Sequence, residues 1–330
     1  MYPQDQQFLF SNLRAAGIKV LRVWLDGQSS GTTKGTNIQK YPDLEPNTVG
    51  VFDDTVLGLI DQLMLNAKGY GIKLLISMHS FNRLSSGDVY GQRWGTGYFY
   101  EQQDAMDAFD NRLRHVLNHV HTSLGKPWKE LKDYIFAFEA QNEAMIGKGS
   151  DYIAAHQYWQ CDRAKTIRSV LGPSSGILVT TGGESWMDES LQPDWFACKE
   201  LDVIAIHAYG VGDLMDSTKM QNYVSKAVDS GKMLLFQEWG ACYFDTDNSN
   251  CPNGNPLDPS QRDANIARWA DVISSAGIPW MYWQIIPNKD PHYGYDFEIG
   301  VNDQNWNTFQ FVANKTTNYS TPFNYAPYLL

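Results

Sequence analysis

The sequence lacks an excess of basic residues and has no cluster of lysine and arginine. Its 330 residues include 26 Lys and Arg against 37 Asp and Glu, which gives a net charge of −11. The phosphate backbone of a nucleic acid would be repelled by this balance. The composition therefore excludes nucleic acid as a partner and permits a neutral substrate.

Long apolar runs are also missing. No stretch has the roughly 20 apolar residues that a membrane-spanning helix needs, so we expect no membrane partner. The N-terminal stretch "MYPQDQQFLFSNLRAAG" has neither the basic start nor the apolar centre of a signal peptide. Linkers rich in Gly, Pro or Ser, repeats and low-complexity tracts are absent as well. We therefore predict a single domain over residues 1–330, with a C-terminal tail at roughly 311–330.

Cysteine is scarce. There are four cysteines and none belongs to a C-x-x-C pair, which argues against a zinc ribbon or a redox motif. An even number fits disulfides in an oxidising compartment, and N-x-[ST] acceptor sites occur at Asn314 and Asn318. These features predict a secreted, extracellular protein. Four cysteines allow three pairings, and the count alone does not choose among them.

Apolar, β-branched runs alternate with amphipathic stretches along the whole chain. Near-continuous apolarity is typical of parallel strands that are covered on both faces. The predicted strands are 18–24, 72–79, 134–143, 176–183, 201–209, 232–240 and 278–286. The predicted helices are 4–16, 53–69, 104–123, 151–171, 215–229 and 259–276, the first of which stops at Gly17. This alternation favours a (β/α)₈ barrel or a doubly wound sheet.

Polar and aromatic side chains gather at the C-terminal ends of the predicted strands. They are His79, Asn142, Glu143, His207, Tyr209, Glu238, Trp283 and Gln284. In a parallel barrel this end is the face where active sites form. A purely structural role would scatter such residues over both ends, so their clustering predicts a functional site.

Two of these strands close on a glutamate. "YIFAFEAQNEAM" contains Glu143 and "KMLLFQEWG" contains Glu238. Cleavage of a glycosidic bond needs a proton for the departing oxygen and a negative charge beside an oxocarbenium-like centre, and two carboxyl groups supply both. A single glutamate in this position could equally be a salt-bridge partner. Two glutamates in the same context predict a catalytic pair.

Six motifs occur in an order that resembles clan A glycoside hydrolases, and specifically glycoside hydrolase family 5. They are "LRVW" at Arg22, "SMHS" at His79, "AQNEAM" at Asn142 and Glu143, "IHAY" at His207 and Tyr209, "FQEWG" at Glu238, and "MYWQ" at Trp283. The resemblance covers roughly residues 4–310 and implies a (β/α)₈ TIM barrel. The stretches "RWGTGYFYEQQ" and "FEAQNEAM" are most similar to fungal endo-β-1,4-mannanases. Family members commonly have Asn-Glu-Pro, whereas this chain has Ala144 after Glu143.

The resemblance implies a secreted retaining endo-β-glycanase that hydrolyses β-1,4-mannan by double displacement. Glu143 would be the acid/base and Glu238 the nucleophile, with their carboxyl groups about 5–5.5 Å apart. Arg22 and Tyr209 would stabilise the charge on Glu238, and His207 would hydrogen-bond near the acid.

Other residues are expected to bind the polysaccharide. By resemblance, Asn142 would bind the 2-hydroxyl at the cleaved bond, Trp283 would floor a subsite, and His79 would belong to the same site. Trp24, Trp94 and Trp186 are candidate stacking surfaces, the last two because they lie in Gly-rich stretches after strands. Glu139 shares a strand face with Glu143 and is a candidate partner for a buried basic residue.

Competing functions remain open at this point. One is an endoglucanase or another β-glycanase of the same family, and another is a carbohydrate-binding barrel without turnover. A metal-dependent hydrolase would need more strand-end ligands than His79 and His207. His115 and His119 lack the glutamate of an H-E-x-x-H motif, and "DTDNSNCPNGNP" has Asn250 where a calcium loop needs glycine. We therefore expect no metal or cofactor, and a monomer acting on a mannan-type polysaccharide.

The family order also numbers the strands. If Glu143 closes barrel strand four and Glu238 strand seven, residues 18–24 are strand two, and the first strand lies upstream of Met1. We therefore expect residues 1–17 to form no strand, and an open position between residues 18–24 and 278–286. On this numbering Cys242 and Cys251 share one loop and pair locally, which leaves Cys161 to pair with Cys198.

Overall fold

The computed structural model describes residues 1–330. Its centre is a curved sheet of six parallel strands that lie in sequence order. The strands are β1 (Val20–Trp24), β2 (Lys73–Ser77), β3 (Ile135–Glu139), β4 (Leu178–Thr180), β5 (Val203–His207) and β6 (Met233–Glu238). Every residue of β2, β3 and β5 is buried, as their continuous apolarity predicts for strands covered on both faces. Six of the seven predicted strands are thus confirmed, each shorter than its apolar run.

Thirteen α-helices connect and cover the strands. They are α1 (Pro3–Ala15), α2 (Thr55–Gly69), α3 (Phe81–Ser85), α4 (Val89–Glu101), α5 (Gln103–Asn118), α6 (Ser150–Ala155), α7 (Tyr158–Leu171), α8 (Met187–Ser190), α9 (Pro193–Ala197), α10 (Val211–Met215), α11 (Ser217–Asp229), α12 (Pro259–Ser275) and α13 (Trp306–Lys315). Two-residue β-ladders join 32–33 to 36–37, 244–245 to 255–256, and 285–286 to 299–300. None of the helices combines the length and apolarity that crossing a bilayer requires.

Helix ends follow the local sequence. Gly17 takes a left-handed backbone with φ of 75° and its amide bonds to the carbonyl of Arg14, so it stops α1 as predicted. Asp258 forms a capping box at the start of α12. The prediction of one helix over 151–171 is wrong. The chain breaks between α6 and α7, where the carbonyl of Gln157 accepts a hydrogen bond from the indole of Trp195 on α9.

The last predicted strand, 278–286, is wrong as a regular strand. Only Trp280 forms a bridge to the sheet, opposite Phe236 of β6, and Ile285–Ile286 pair with Ile299–Gly300 instead. The physical reason is that this segment has a sheet neighbour on the β6 side alone. A strand with one neighbour lacks half of the ladder that would hold it in register.

A cavity of 770 Å³ lies between β1 and residues 278–285, lined mainly by apolar side chains that include Leu21, Leu235 and Tyr282. Residues 3–15 form α1, so this segment is a helix, as predicted, and β1 pairs with β2 alone. The sheet is therefore a half-barrel whose open side lies between β1 and residues 278–285, consistent with a (β/α)₈ fold.

Two disulfides tie the outer layer together. Cys161 on α7 pairs with Cys198 at the end of α9, and Cys242 pairs with Cys251 in the loop after β6. Both predicted pairings are confirmed. The first bond spans 37 residues and the second spans 9 residues.

The unequal loops predict unequal contributions to stability. Loop-closure entropy gives about 4 kcal/mol for the Cys161–Cys198 bond and about 2.5 kcal/mol for the Cys242–Cys251 bond. Replacing each pair by serine should therefore lower the urea midpoint more for the first pair than for the second. Equal losses, or the reverse order, would contradict this entropic account.

Candidate active site

The strands deliver ionisable side chains to one end of the sheet. Glu139, His207 and Glu238 are the last residues of β3, β5 and β6, and His207 lies in register beside Glu238. Because the strands are parallel, these ends meet at the same face. The structure therefore brings His207 and Glu238, two of the predicted site residues, to the same face of the sheet as Glu139.

Arg22 of β1 lies at the base of this group and is almost fully buried. Its guanidinium binds Glu139 in a bidentate manner, with Nε to Oε2 at 3.2 Å and Nη2 to Oε1 at 2.5 Å. Nη1 contacts Oε1 of Glu238, and Nη2 also donates to Oδ1 of Asn142 at 2.6 Å. Burial opposes the charged form, but the two carboxylates outweigh it and raise the pKa of Arg22. One guanidinium thus positions three polar side chains of the site.

Glu143 and Glu238 face each other. One carboxylate oxygen of Glu143, one carboxylate oxygen of Glu238 and a ring nitrogen of His207 all lie within 4.8 Å of one another. The side chains of Glu143 and Glu238 are 14% and 8% exposed, so both keep some surface accessible to solvent. We call the space in front of them the cleft. Two carboxylates whose oxygens approach this closely are compatible with direct attack on a sugar carbon, for which the carboxyl groups stand about 5–5.5 Å apart.

The backbone of Glu143 is unusual. Its φ is 49°, a left-handed conformation that is uncommon for a residue with a side chain, and its amide donates to the carbonyl of Gly182 at 3.1 Å. A Cβ at Gly182 would lie only 1.9 Å from the carbonyl oxygen of Gln141. Only glycine therefore lets the loop after β4 approach closely enough to hold Glu143.

His207 connects both glutamates to a buried amide. Its Nδ1 lies 3.0 Å from Oε1 of Glu143 and 3.6 Å from Oε2 of Glu238. Its Nε2 lies 2.8 Å from Oε1 of Gln237, whose Nε2 donates to Glu139 at 2.8 Å. A carboxylate only accepts hydrogen bonds, so the Gln237 amide turns its Nε2 to Glu139 and its Oε1 to His207. Nε2 of His207 faces that oxygen and must therefore carry a proton. Burial favours neutral His207, but Glu238 and Glu143 outweigh it and raise the pKa of His207.

Tyr209 completes the surroundings of Glu238. Its hydroxyl donates to Oε2 of Glu238 at 2.7 Å, while Arg22 contacts the other oxygen. Burial, followed by the charge of Glu238, raises the pKa of Tyr209 well above its usual value, so the phenol keeps its proton. Two donors therefore hold one carboxylate and stabilise its negative charge.

Aromatic side chains flank the cleft. Trp24 and Trp283 meet edge to face with ring centroids 5.1 Å apart, and Trp24 stacks on Arg22 at 4.4 Å. Trp186 is 44% exposed and packs against the position of Gly210, next to Tyr209. Trp24 and Trp283 are partly exposed and Trp186 is exposed, and their stacking on sugar rings stays a prediction.

Two predicted binding residues do not have free side chains. Trp94 is only 6% exposed because it lies on α4, where its indole donates to Asp104 and its ring stacks on Tyr90. The prediction that Trp94 lies in a loop and stacks on sugar is wrong. Both ring nitrogens of His79 are engaged, Nε2 with Asp88 and Nδ1 with the Gln141 amide, each within 2.8 Å. His79 therefore supports the site from beneath rather than touching the cleft.

Sequence reasoning missed two neighbours of Glu143 and Glu238. Gln237 is one, although "FQEWG" places it next to Glu238. Glu184 is the other. It is fully buried after β4, and neither carboxyl oxygen has a hydrogen-bond partner. Burial, then the charge of Glu143, raise the pKa of Glu184 well above its usual value. The Glu in "TTGGESW" follows a strand, and that position was its only sequence signal.

The three atoms of Glu143, His207 and Glu238 are also close enough to bind a metal ion. Arg22 already provides a buried positive charge at Glu238, and His207 provides a proton donor at Glu143. The charges of this group are thus balanced by side chains of the chain itself, and its arrangement suits proton transfer rather than metal ligation.

Comparison with known proteins agrees with this geometry. The sequence profile of "Cellulase (glycosyl hydrolase family 5)" matches residues 1–289. Mannan endo-1,4-beta-mannosidase A of Aspergillus aculeatus is 25% identical over 95% of this chain and 79% of its own length. A probable mannan endo-1,4-beta-mannosidase A-2 of Aspergillus terreus is 24% identical over 93% of this chain and 74% of its own length.

Solved structures show the same fold. The endo-1,4-beta-mannanase of Rhizomucor miehei aligns with a TM-score of 0.70 at 19% identity, over 96% of this chain and 92% of that chain. The endo-beta-1,4-mannanase of Thermotoga petrophila aligns with a TM-score of 0.69 at 21% identity, over 96% and 74%. At these identities the likeness establishes the TIM-barrel fold.

The raised pKa of His207 predicts a pH-dependent stability. Its interaction with the glutamates stabilises the fold fully below the ordinary histidine pKa of about 6.5, and is lost as pH rises through the raised value. The stability difference between the wild type and His207→Gln should therefore be largest near pH 6 and shrink towards pH 9. Urea unfolding across this range measures it, with His115→Gln as the control. A difference that is constant or grows with pH would contradict the assignment.

Proposed function

Because the chain belongs to glycoside hydrolase family 5 and is a glycoside hydrolase, we propose that it cleaves internal bonds of β-1,4-mannan with retention of configuration. The observation that carries this proposal is that one carboxylate oxygen of Glu143 lies within 4.8 Å of a carboxylate oxygen of Glu238. At that distance one carboxylate can attack the sugar carbon while the other acts on the leaving oxygen. The proposed reaction is therefore a double displacement.

Glu238 is the proposed nucleophile. Arg22 and Tyr209 donate to its two oxygens, so its charge is stabilised and its orientation fixed before substrate arrives. In the first step a carboxylate oxygen of Glu238 bonds to the sugar carbon as the bond to the leaving oxygen breaks. This gives a glycosyl-enzyme ester, which water hydrolyses in the second step.

Glu143 is the proposed acid/base. Its hydrogen bond to His207 allows one proton to be shared between the Glu143 carboxyl and Nδ1, because Nε2 of His207 is already committed to Gln237. Glu143 donates this proton to the leaving oxygen in the first step. In the second step it takes a proton from the attacking water, so the pair returns to its starting state.

The surroundings also support binding of a neutral polysaccharide. Oδ1 of Asn142 accepts from Arg22, which turns its Nδ2 towards Glu143, at 3.4 Å from Oε2. This amide donor is therefore directed to where a sugar hydroxyl beside the reacting carbon would lie. Trp24, Trp283 and Trp186 offer flat apolar surfaces to sugar rings. The choice of mannan rests on the relatives in Aspergillus, which are mannan endo-1,4-beta-mannosidases by name.

We further propose that the chain is a single catalytic domain that works outside the cell. The main apolar core is one cluster that extends from Leu9 to Tyr325. All four cysteines are paired, and disulfides of this kind persist in oxidising compartments.

The substrate assignment predicts a clear order of activities. In a reducing-sugar assay, β-1,4-mannan should be cleaved faster than carboxymethyl-cellulose, xylan or β-1,3-glucan. Fastest cleavage of cellulose would replace the mannanase assignment by the endoglucanase alternative. Release of no sugar from any polymer, with binding retained, would favour the carbohydrate-binding alternative.

The two glutamate roles predict different rescue chemistry. Glu143→Ala and Glu238→Ala should each lose more than about 100-fold in kcat on mannan, whereas Glu130→Ala at an exposed position should not. Azide should restore turnover of an activated aryl mannoside in both variants. The product should be the β-mannosyl azide from Glu143→Ala and the α-mannosyl azide from Glu238→Ala. The opposite pair of products would exchange the assigned roles.

A further inference from the structure

A second acidic cluster lies in the loop that follows Trp283, apart from the catalytic glutamates. Asp290, Asp296 and Glu298 are 3%, 0% and 2% exposed. One oxygen from each of the three carboxylates lies within 4.8 Å of the other two. Three acidic side chains buried at this spacing repel one another unless a cation or protons compensate them.

Two oxygens of this cluster have no partner. Oδ2 of Asp290 and Oδ1 of Asp296 are buried and accept no hydrogen bond. A buried carboxylate oxygen without a donor is costly, so native proteins rarely leave one unsatisfied. Glu298 differs, because its oxygens accept from Gln284 at 3.2 Å and from the amide of Phe297 at 3.1 Å.

Nearby positive groups do not balance the cluster. The lysine side chain that contacts the cluster is Lys34, whose Nζ lies 3.1 Å from Oε2 of Glu298. Nδ1 of His292 lies 3.0 Å from Asp296 and 3.5 Å from Asp290. Arg262 donates to the backbone carbonyl of Glu298 rather than to a carboxylate.

A fourth carboxylate lies beside the cluster. Asp303 adds a fourth carboxylate, within 4.8 Å of Asp290 and His292. Lys34 and His292 are the basic side chains that contact these four carboxylates, so acidic groups outnumber basic ones here.

We propose that Asp290, Asp296 and Glu298 bind a hard divalent cation, Ca²⁺. The three donors are carboxylate oxygens, which Ca²⁺ prefers, and the two unpartnered oxygens supply free ligand positions. A softer ion such as Zn²⁺ would favour nitrogen and thiolate donors. Here His292 is the single imidazole, and the nearby cysteines are joined in a disulfide.

The position of the cluster gives this cation a role in the cleft. Glu298 holds the Gln284 side chain, and the amide of Ile299 donates to the Gln284 carbonyl at 2.9 Å. Gln284 directly follows Trp283, which flanks the catalytic pair. Bound Ca²⁺ therefore fixes the loop that supports Trp283, and its removal should raise KM more than it lowers kcat.

Calorimetric titration and thermal unfolding of the chelator-treated, full-length chain test the proposal, with CaCl₂ as the probe at constant ionic strength. At Ca²⁺ about 100 times its Kd, Tm should rise by roughly 4 °C. Asp290→Asn and Asp296→Asn should each weaken binding at least about tenfold. Asp247→Asn, which removes an exposed acid from the neighbouring 244–256 loop, should bind as tightly as the wild type.

The readouts do not use catalysis, so a wrong substrate assignment would leave them unchanged. Absence of heat and of a Tm shift up to about 10 mM CaCl₂ would overturn the proposal. Equal Ca²⁺ binding by Asp296→Asn would overturn the site. A higher Tm for Asp290→Asn without any Ca²⁺ response would show that protons, not a cation, compensate the cluster. Binding of Zn²⁺ alone, lost in His292→Gln, would overturn the choice of metal.

Discussion

The buried guanidinium of Arg22 is the interaction on which the arrangement of the site depends. It lies on β1, at one edge of the open sheet, and contacts Glu238 on β6, at the other edge. Its bidentate contact with Glu139 also connects it to β3, a strand in the middle of the sheet. Removing one member of a buried ion pair costs about 3–5 kcal/mol, because the remaining charge is left without a partner. The same contacts therefore hold the two edges together across the cavity and position the proposed nucleophile.

Glu139 links this ion pair to the second glutamate. It accepts from Arg22 and from Gln237, and Gln237 in turn sets which nitrogen of His207 carries a proton. His207 then presents its other nitrogen to Glu143. A single buried carboxylate thus anchors both members of the proposed catalytic pair through separate hydrogen bonds. Neither glutamate is positioned by packing alone, because each has its own hydrogen-bond partners. The proposed acid and nucleophile can therefore differ in surroundings although one oxygen of each lies within 4.8 Å of the other.

Much of this arrangement could be predicted from the sequence, because apolar strands that end in polar residues place those residues at one face. Glu238 at the end of β6 and Glu143, four residues beyond the end of β3, are of this kind. The position of the two cysteines in one loop indicated the short Cys242–Cys251 pairing. The Gln237 contacts could not be predicted, since they depend on the register of three strands. The prediction for Trp94 failed because tertiary packing, not local sequence, decides that its side chain is buried on α4. The glycines around it suggest a loop instead. Residues 278–286 are irregular because they have a sheet neighbour on the β6 side alone. Their own β-forming residues give no sign of this.

The central claim is that two carboxylates at this separation form a covalent intermediate, and the stereochemistry of the first-formed product tests it most directly. Proton NMR of a β-1,4-mannan oligosaccharide during early hydrolysis distinguishes the anomers before they interconvert. Double displacement inverts the reacting carbon twice, so the β-anomer should appear first and the α-anomer only later, by mutarotation. An α-anomer present from the start would require a water between Glu143 and Glu238, and would contradict the account.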